Sequence, residues 1–105
     1  MAAWDSFPVS IFEVRSHIDE IDQQIVRLLG ARQKLVKEAA RYKTDEHAVR
    51  APDRRVTMMA RRHEWAIAEG VFPEVVGRVY DAMIDSFIDL ELREHARITE
   101  TSPGD

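Results

Sequence analysis

The sequence predicts an all-α fold of three helices per chain, in the order long, short, long. Apolar residues recur at steps of three and four over most of the chain, no useful length alternates with the period of a strand, and Pro52 and Pro73 stand where helices can begin. The 105 residues make room for one domain, 1–105, with a core of about 10–97.

The first helix is expected from about Ser10 to Tyr42. Its seam reads Ile11, Val14, Ile18, Ile21, Ile25, Leu28, Arg32, Leu35, Ala39 and Tyr42, without a proline, and one cation stands inside it. At about 1.5 Å per residue such a helix is about 50 Å long, whereas a compact domain of about 100 residues has a radius of gyration near 13 Å. Its apolar stripe therefore needs cover from another chain, and a guanidinium on that stripe needs an anion. Together these point to a homo-oligomer that binds an anion between its helices.

Periodicity is lost through Thr44-Asp45-Glu46-His47, which reads as a loop, and Ala51-Pro52 starts a short second helix. Val56, Met59, His63 and Ala66 or Ile67 supply its stripe, and Gly70 ends it. Pro73 opens the third helix, in which Val76, Val79, Tyr80, Met83, Ile84, Phe87, Leu90 and Leu92 hold a helical spacing. The tail from Ile98 to Asp105 reads as frayed.

Composition excludes several functions. With no cysteine there is no disulfide, thiolate metal site or cysteine nucleophile. A net charge of -4 argues against nucleic acid as a partner. The first ten residues lack the basic start and apolar run of a secretory signal, and no segment has the ~20 apolar residues of a membrane span, so a cytoplasmic protein is expected. His17, His47, His63 and His95 have no metal-ligand spacing, and no glycine-rich phosphate loop occurs. Trp4 and Trp65 read as packing residues.

The residues able to carry chemistry are cations and one acid. Arg32, Val36, Ala39 and Lys43 recur at steps of four, three and four, which would put Arg32 and Lys43 on one helix face three turns apart. Glu91 shares a stripe with Tyr80, Ile84 and Phe87, so its carboxyl group is expected to be partly buried, which disfavours its charge unless a cation compensates. Arg15 and Arg32 lie about 25 Å apart along the axis, too far to grip one small molecule within one chain. If two copies of the long helix pair antiparallel, Arg15 of one approaches Arg32 and Lys43 of the other. Each residue also has a plainer reading: Arg32 snorkelling to water, Arg15 paired with Asp19, Lys43 a basic helix end, Glu91 paired with Arg93, and Arg54-Arg55 with Arg61-Arg62 a solvated face.

As a set, Val14-Arg15, Ile18-Asp19-Glu20-Ile21-Asp22, Leu28-Leu29-Gly30-Ala31-Arg32, Ala40-Arg41-Tyr42-Lys43, Asp53-Arg54 and Met83-Ile84-Asp85-Ser86 resemble the all-helical chorismate mutase family from about Ile11 to Arg97. The resemblance implies an intertwined antiparallel homodimer in which Arg15 serves the partner's site, while Arg32, Lys43, Arg54 and Glu91 act within one chain. It implies a small dicarboxylate substrate, chorismate, rearranged to prephenate by a pericyclic reaction without cofactor or metal. In that family role Arg15 and Arg32 clamp carboxylates, Arg54 supports them, and Lys43 and position 91 donate to the ether oxygen; Glu91 must be protonated to donate.

Three features depart from the bacterial mutase pattern. Glu91 stands where those mutases often carry Gln, although fungal relatives also have glutamate. Arg55 replaces a glutamate that bonds the ring hydroxyl, and the loop before it is about one residue shorter. The wording Ala51-Pro52-Asp53-Arg54, with the aromatic Phe87, looks more like the isochorismate-pyruvate lyase branch, and an amino-substituted chorismate is a further candidate. Mutase activity is the first expectation and the lyase the second. A non-catalytic regulatory helical dimer is the alternative of another class.

Overall fold

The computed structural model describes residues 10–100; Trp4 and residues 101–105 of the tail lie outside them. All regular structure among the described residues is helical: α1 Ile11–Ala40, α2 Glu46–Arg50, α3 Pro52–Ala68 and α4 Pro73–Glu100. The long, short, long order holds for α1, α3 and α4, and the expected loop contains one further turn of helix, α2. None of the helices among these residues is long and apolar enough to cross a membrane. The chain divides into two units, residues 1–35 and 36–105.

In the first unit, Ser10 begins α1 by accepting the Glu13 N–H on its hydroxyl at 3.1 Å, a side-chain cap for an otherwise orphaned donor. Uninterrupted helix formers then carry the seam. Leu28 and Leu35 are 62% and 71% exposed, while Val14, Ile21 and Arg32 are half-buried.

The second unit begins with the end of α1. Helical bonding stops at Ala40, and i→i+3 bonds tighten the chain: Arg41 N–H to Glu38, Tyr42 to Ala39 and Lys43 to Ala40, at 3.0 to 3.3 Å. Asp45 caps α2, its side chain accepting the Ala48 N–H at 2.8 Å. Ala51 then turns into the left-handed region, with φ 41° and ψ 60°, and is at once the end of α2 and the residue before α3. The extended conformation expected of a residue before proline is overridden because one residue must both stop α2 and aim α3. α3 ends where Gly70, at φ 72°, lets Val71 N–H reach the Ala66 carbonyl and Gly70 N–H the Ile67 carbonyl, a Schellman closure.

α2 and α3 both pack on α4. The core of this unit is thin: Ala40, Val49, Ala66 and Ile84 are buried, with Glu91 among them. Two expectations are corrected. The covered face of α3 is not Val56–Met59–His63, since Val56 and His63 are exposed; it is Arg55, Met58, Met59, Arg62 and Ala66. Long arginine stems lie over apolar surface with their charged ends engaged, so a stripe counted from apolar residues alone is displaced by about one position. The tail is not frayed from Ile98, because α4 continues to Glu100.

Candidate active site

Lys43 stands in the turn after α1, two residues short of the Asp45 cap. Its placement differs from the expected helical step after Arg32: the tightened turn ends α1 first, so Lys43 follows a different rotation. Its ammonium donates to Glu91 Oε1 at 3.1 Å and to the Ala48 carbonyl of α2 at 3.3 Å. Both side chains are largely covered, at 27% and 10% exposure, so the ion pair is poorly screened. Glu91 is thus buried as expected, and its partner is Lys43 rather than Arg93, whose Nε donates to the Asp89 carbonyl.

One turn further along α4, His95 Nε2 lies 2.9 Å from the carbonyl oxygen of Lys43. A carbonyl only accepts, so this ring nitrogen carries the proton. The sequence, tested for metal-ligand spacing alone, gives His95 no role. Its spacing of four from Glu91 was a usable signal, since it puts both side chains on one face of α4. Among the described residues no group of three His, Asp or Glu is placed to hold a metal.

The arginines of α3 divide in two. Arg54 and Arg61 are exposed, as a solvated face requires, whereas Arg55 and Arg62 are half-buried against α4. Arg55 Nη1 donates to Asp85 at 2.7 Å and Nη2 to Asp81 at 3.4 Å. The hydrogen bond to Asp85 is the main cause that raises the Arg55 pKa above its ordinary value; burial opposes it, and the weaker hydrogen bond to Asp81 adds to the rise. Asp85 lies about 120° around α4 from Glu91, so Arg55 is drawn toward a flank of that helix. There it lines, with Arg50, Pro52, Asp85, Ile88 and Asp89, a groove of about 350 Å³. The Arg62 guanidinium lies 4.9 Å from the Trp65 ring centre and 5.1 Å from that of Tyr80, so the half-exposed Trp65 is a cation–π partner more than a core residue. Phe87 is half-buried one turn before Glu91.

Arg15 and Arg32 belong to the first unit, where Arg15 is exposed and Arg32 half-buried on α1. The second unit alone brings together Lys43, Glu91, His95 and the Ala48 carbonyl. Two hydrogens of the Lys43 ammonium are directed at protein oxygens and a third can meet an anion. Such a group, desolvated and held beside the Glu91 carboxyl group, can stabilise negative charge that grows on a substrate oxygen.

The family model described as chorismate mutase type II matches residues 14–92. A curated isochorismate pyruvate lyase of Pseudomonas aeruginosa is 35% identical over 81 residues, which cover 77% of this chain and 80% of the relative.

Proposed function

The chain belongs to the chorismate mutase type II family, and on that premise we propose that it is a chorismate mutase, acting as a cytoplasmic homodimer that converts chorismate to prephenate. The observation that supports this most is the buried Lys43–Glu91 pair, at the two positions where the family places donors to the ether oxygen. The rearrangement breaks the C–O bond of the ether while a C–C bond forms, with no proton transferred and no covalent intermediate. Catalysis then reduces to holding a flexible dicarboxylate in a reactive conformation and stabilising charge on the departing oxygen.

In this reading Arg15 of one chain and Arg32 of the other grip the carboxylates, and Arg54 supports them from the start of α3. Lys43 turns its third hydrogen to the ether oxygen. Glu91, which accepts from Lys43 in the structure, becomes a donor to the same oxygen when protonated. The exposed seam of α1, from Ile11 through Leu28 to Leu35, supports a second copy as its cover.

The lyase is the second reading, supported by the name of the curated relative, by Phe87 and by the loop before Arg54. Either isomer of chorismate offers the same two carboxylates and ether oxygen. The ring substituent differs, and Arg55, braced on Asp85 and Asp81, together with Phe87 is proposed to govern that choice; an amino substituent is a third possibility. The test is to incubate the purified protein with chorismate and, separately, with isochorismate. Prephenate from the first is the expected result. Salicylate and pyruvate from the second, with negligible prephenate, would overturn the mutase in favour of the lyase.

A further inference from the structure

Lys43 has a flexible side chain and stands outside the regular helices. Its backbone lies beyond the last helical residue of α1, Ala40, and before the cap of α2, and a lysine stem has four rotatable carbons. A donor that must meet a reacting oxygen to within a fraction of an ångström needs both ends fixed. Glu91 and Ala48 fix the ammonium. His95 fixes the other end: its Nε2–H donates at 2.9 Å to the main-chain carbonyl of the same residue, across 52 positions of sequence. Glu91 and His95 are one turn apart on α4, so the two ends of Lys43 are referred to one rigid helix. The bond also satisfies a carbonyl that lies past the end of α1 and has no helical partner.

We propose that His95 is a positioning residue, tethering the main chain at Lys43 so that its ammonium and the Glu91 carboxyl share one frame on α4. The inference rests on the reading of Lys43 as donor to the ether oxygen. Because that contact strengthens as the C–O bond breaks, while Arg15 and Arg32 hold the carboxylates throughout, a displaced Lys43 lowers kcat more than it raises KM.

The experiment compares the full chain with His95→Leu, which keeps bulk and loses the donor, and His95→Gln, which returns an amide N–H near the same place. Nitrogen NMR of the unaltered protein should show the His95 ring with its proton on Nε2. His95→Leu should lower kcat about tenfold, the equivalent of one lost hydrogen bond of about 1.4 kcal/mol, with KM changed less than about twofold. His95→Gln should recover most of that loss, and backbone amide exchange around Thr44 should quicken in His95→Leu alone. An Nε2 without its proton overturns the proposal, as does unchanged turnover in His95→Leu. So does a loss shared equally by kcat, KM and melting temperature that Gln does not rescue. Should His95→Leu fail to fold, the ring spectrum and the turnover of His95→Gln against that of His95→Asn, whose shorter amide cannot reach the carbonyl, decide the matter. If the unaltered protein turns over neither isomer, the proposed function fails, while the ring spectrum and the exchange around Thr44 still test the tether.

Discussion

Lys43 and Glu91 satisfy one another at 3.1 Å in a largely covered setting, and the consequences of changing either are unequal. Lys43→Met leaves the Glu91 carboxyl buried without its cation. We expect a loss of about 1–3 kcal/mol in stability, read by denaturant unfolding, together with at least about a hundredfold fall in kcat. Glu91→Gln keeps a group of the same shape that can accept from Lys43 and donate to substrate at every pH. In the proposed mechanism only the acid form of Glu91 can donate, so Glu91→Gln should make activity less dependent on pH than in the unaltered protein. Identical pH profiles for the two proteins would remove Glu91 from its assigned role. Ala51 is a residue-scale cost of a different kind, since a left-handed alanine is disfavoured by about 1–2 kcal/mol. Ala51→Gly relieves that strain but adds unfolded-state freedom, so a net gain of up to about 1 kcal/mol is expected in the melting curve.

At the scale of the elements, α4 is the organiser of the second unit. It receives Arg55 on Asp81 and Asp85, the ring of Tyr80 lies under Arg62, and Glu91 and His95 hold Lys43. Arg55→Glu would put a third acid where two now share a cation. It should loosen α3 from α4 by about 1–2 kcal/mol, visible as a lower denaturant midpoint, and part of that loss should return when Asp85→Asn is added. The far end of α4 is held by Arg97, whose Nη2 lies 2.6 Å from Glu94 and draws that carboxyl below the ordinary carboxylate range. A depressed carboxylate stabilises above its unfolded pKa and ceases to do so as pH falls through the folded one. The last turn of α4 should therefore exchange its amides faster on the acid side of that range, with little change between neutral and mildly alkaline pH. The helix-forming periods of α1, α3 and α4 were legible because they repeat locally. α2 was not, because five residues hold too little of a period, and only the Asp45 cap marked it.

For the whole molecule, the proposed shared site makes a prediction that no single chain can satisfy. Arg15→Ala and Arg32→Ala chains should each be inactive. Mixed after subunit exchange they should recover part of the activity, because one site of the heterodimer has both arginines and the other has neither. No recovery after verified exchange would count against a site built from two chains. A dicarboxylate mimic of the transition state should raise the melting temperature with concentration, as any ligand that binds only the folded state does. Absence of both catalysis and stabilisation would favour the non-catalytic dimer.

The sequence by itself determined the all-α class, the long, short, long order of its main helices, the stop at Gly70, the start at Pro73 and a set of cations with one acid on helical stripes. These follow from interactions within a few residues, and local spacing records them. Only the tertiary structure decided which face of α3 is covered, that Lys43 leaves the helical step of α1, and that Glu91 and His95 meet one residue about fifty positions away. Those outcomes depend on how a helix ends and where the chain next packs. A single tightened turn after Ala40 changes the direction of everything beyond it, and no local pattern encodes that rotation.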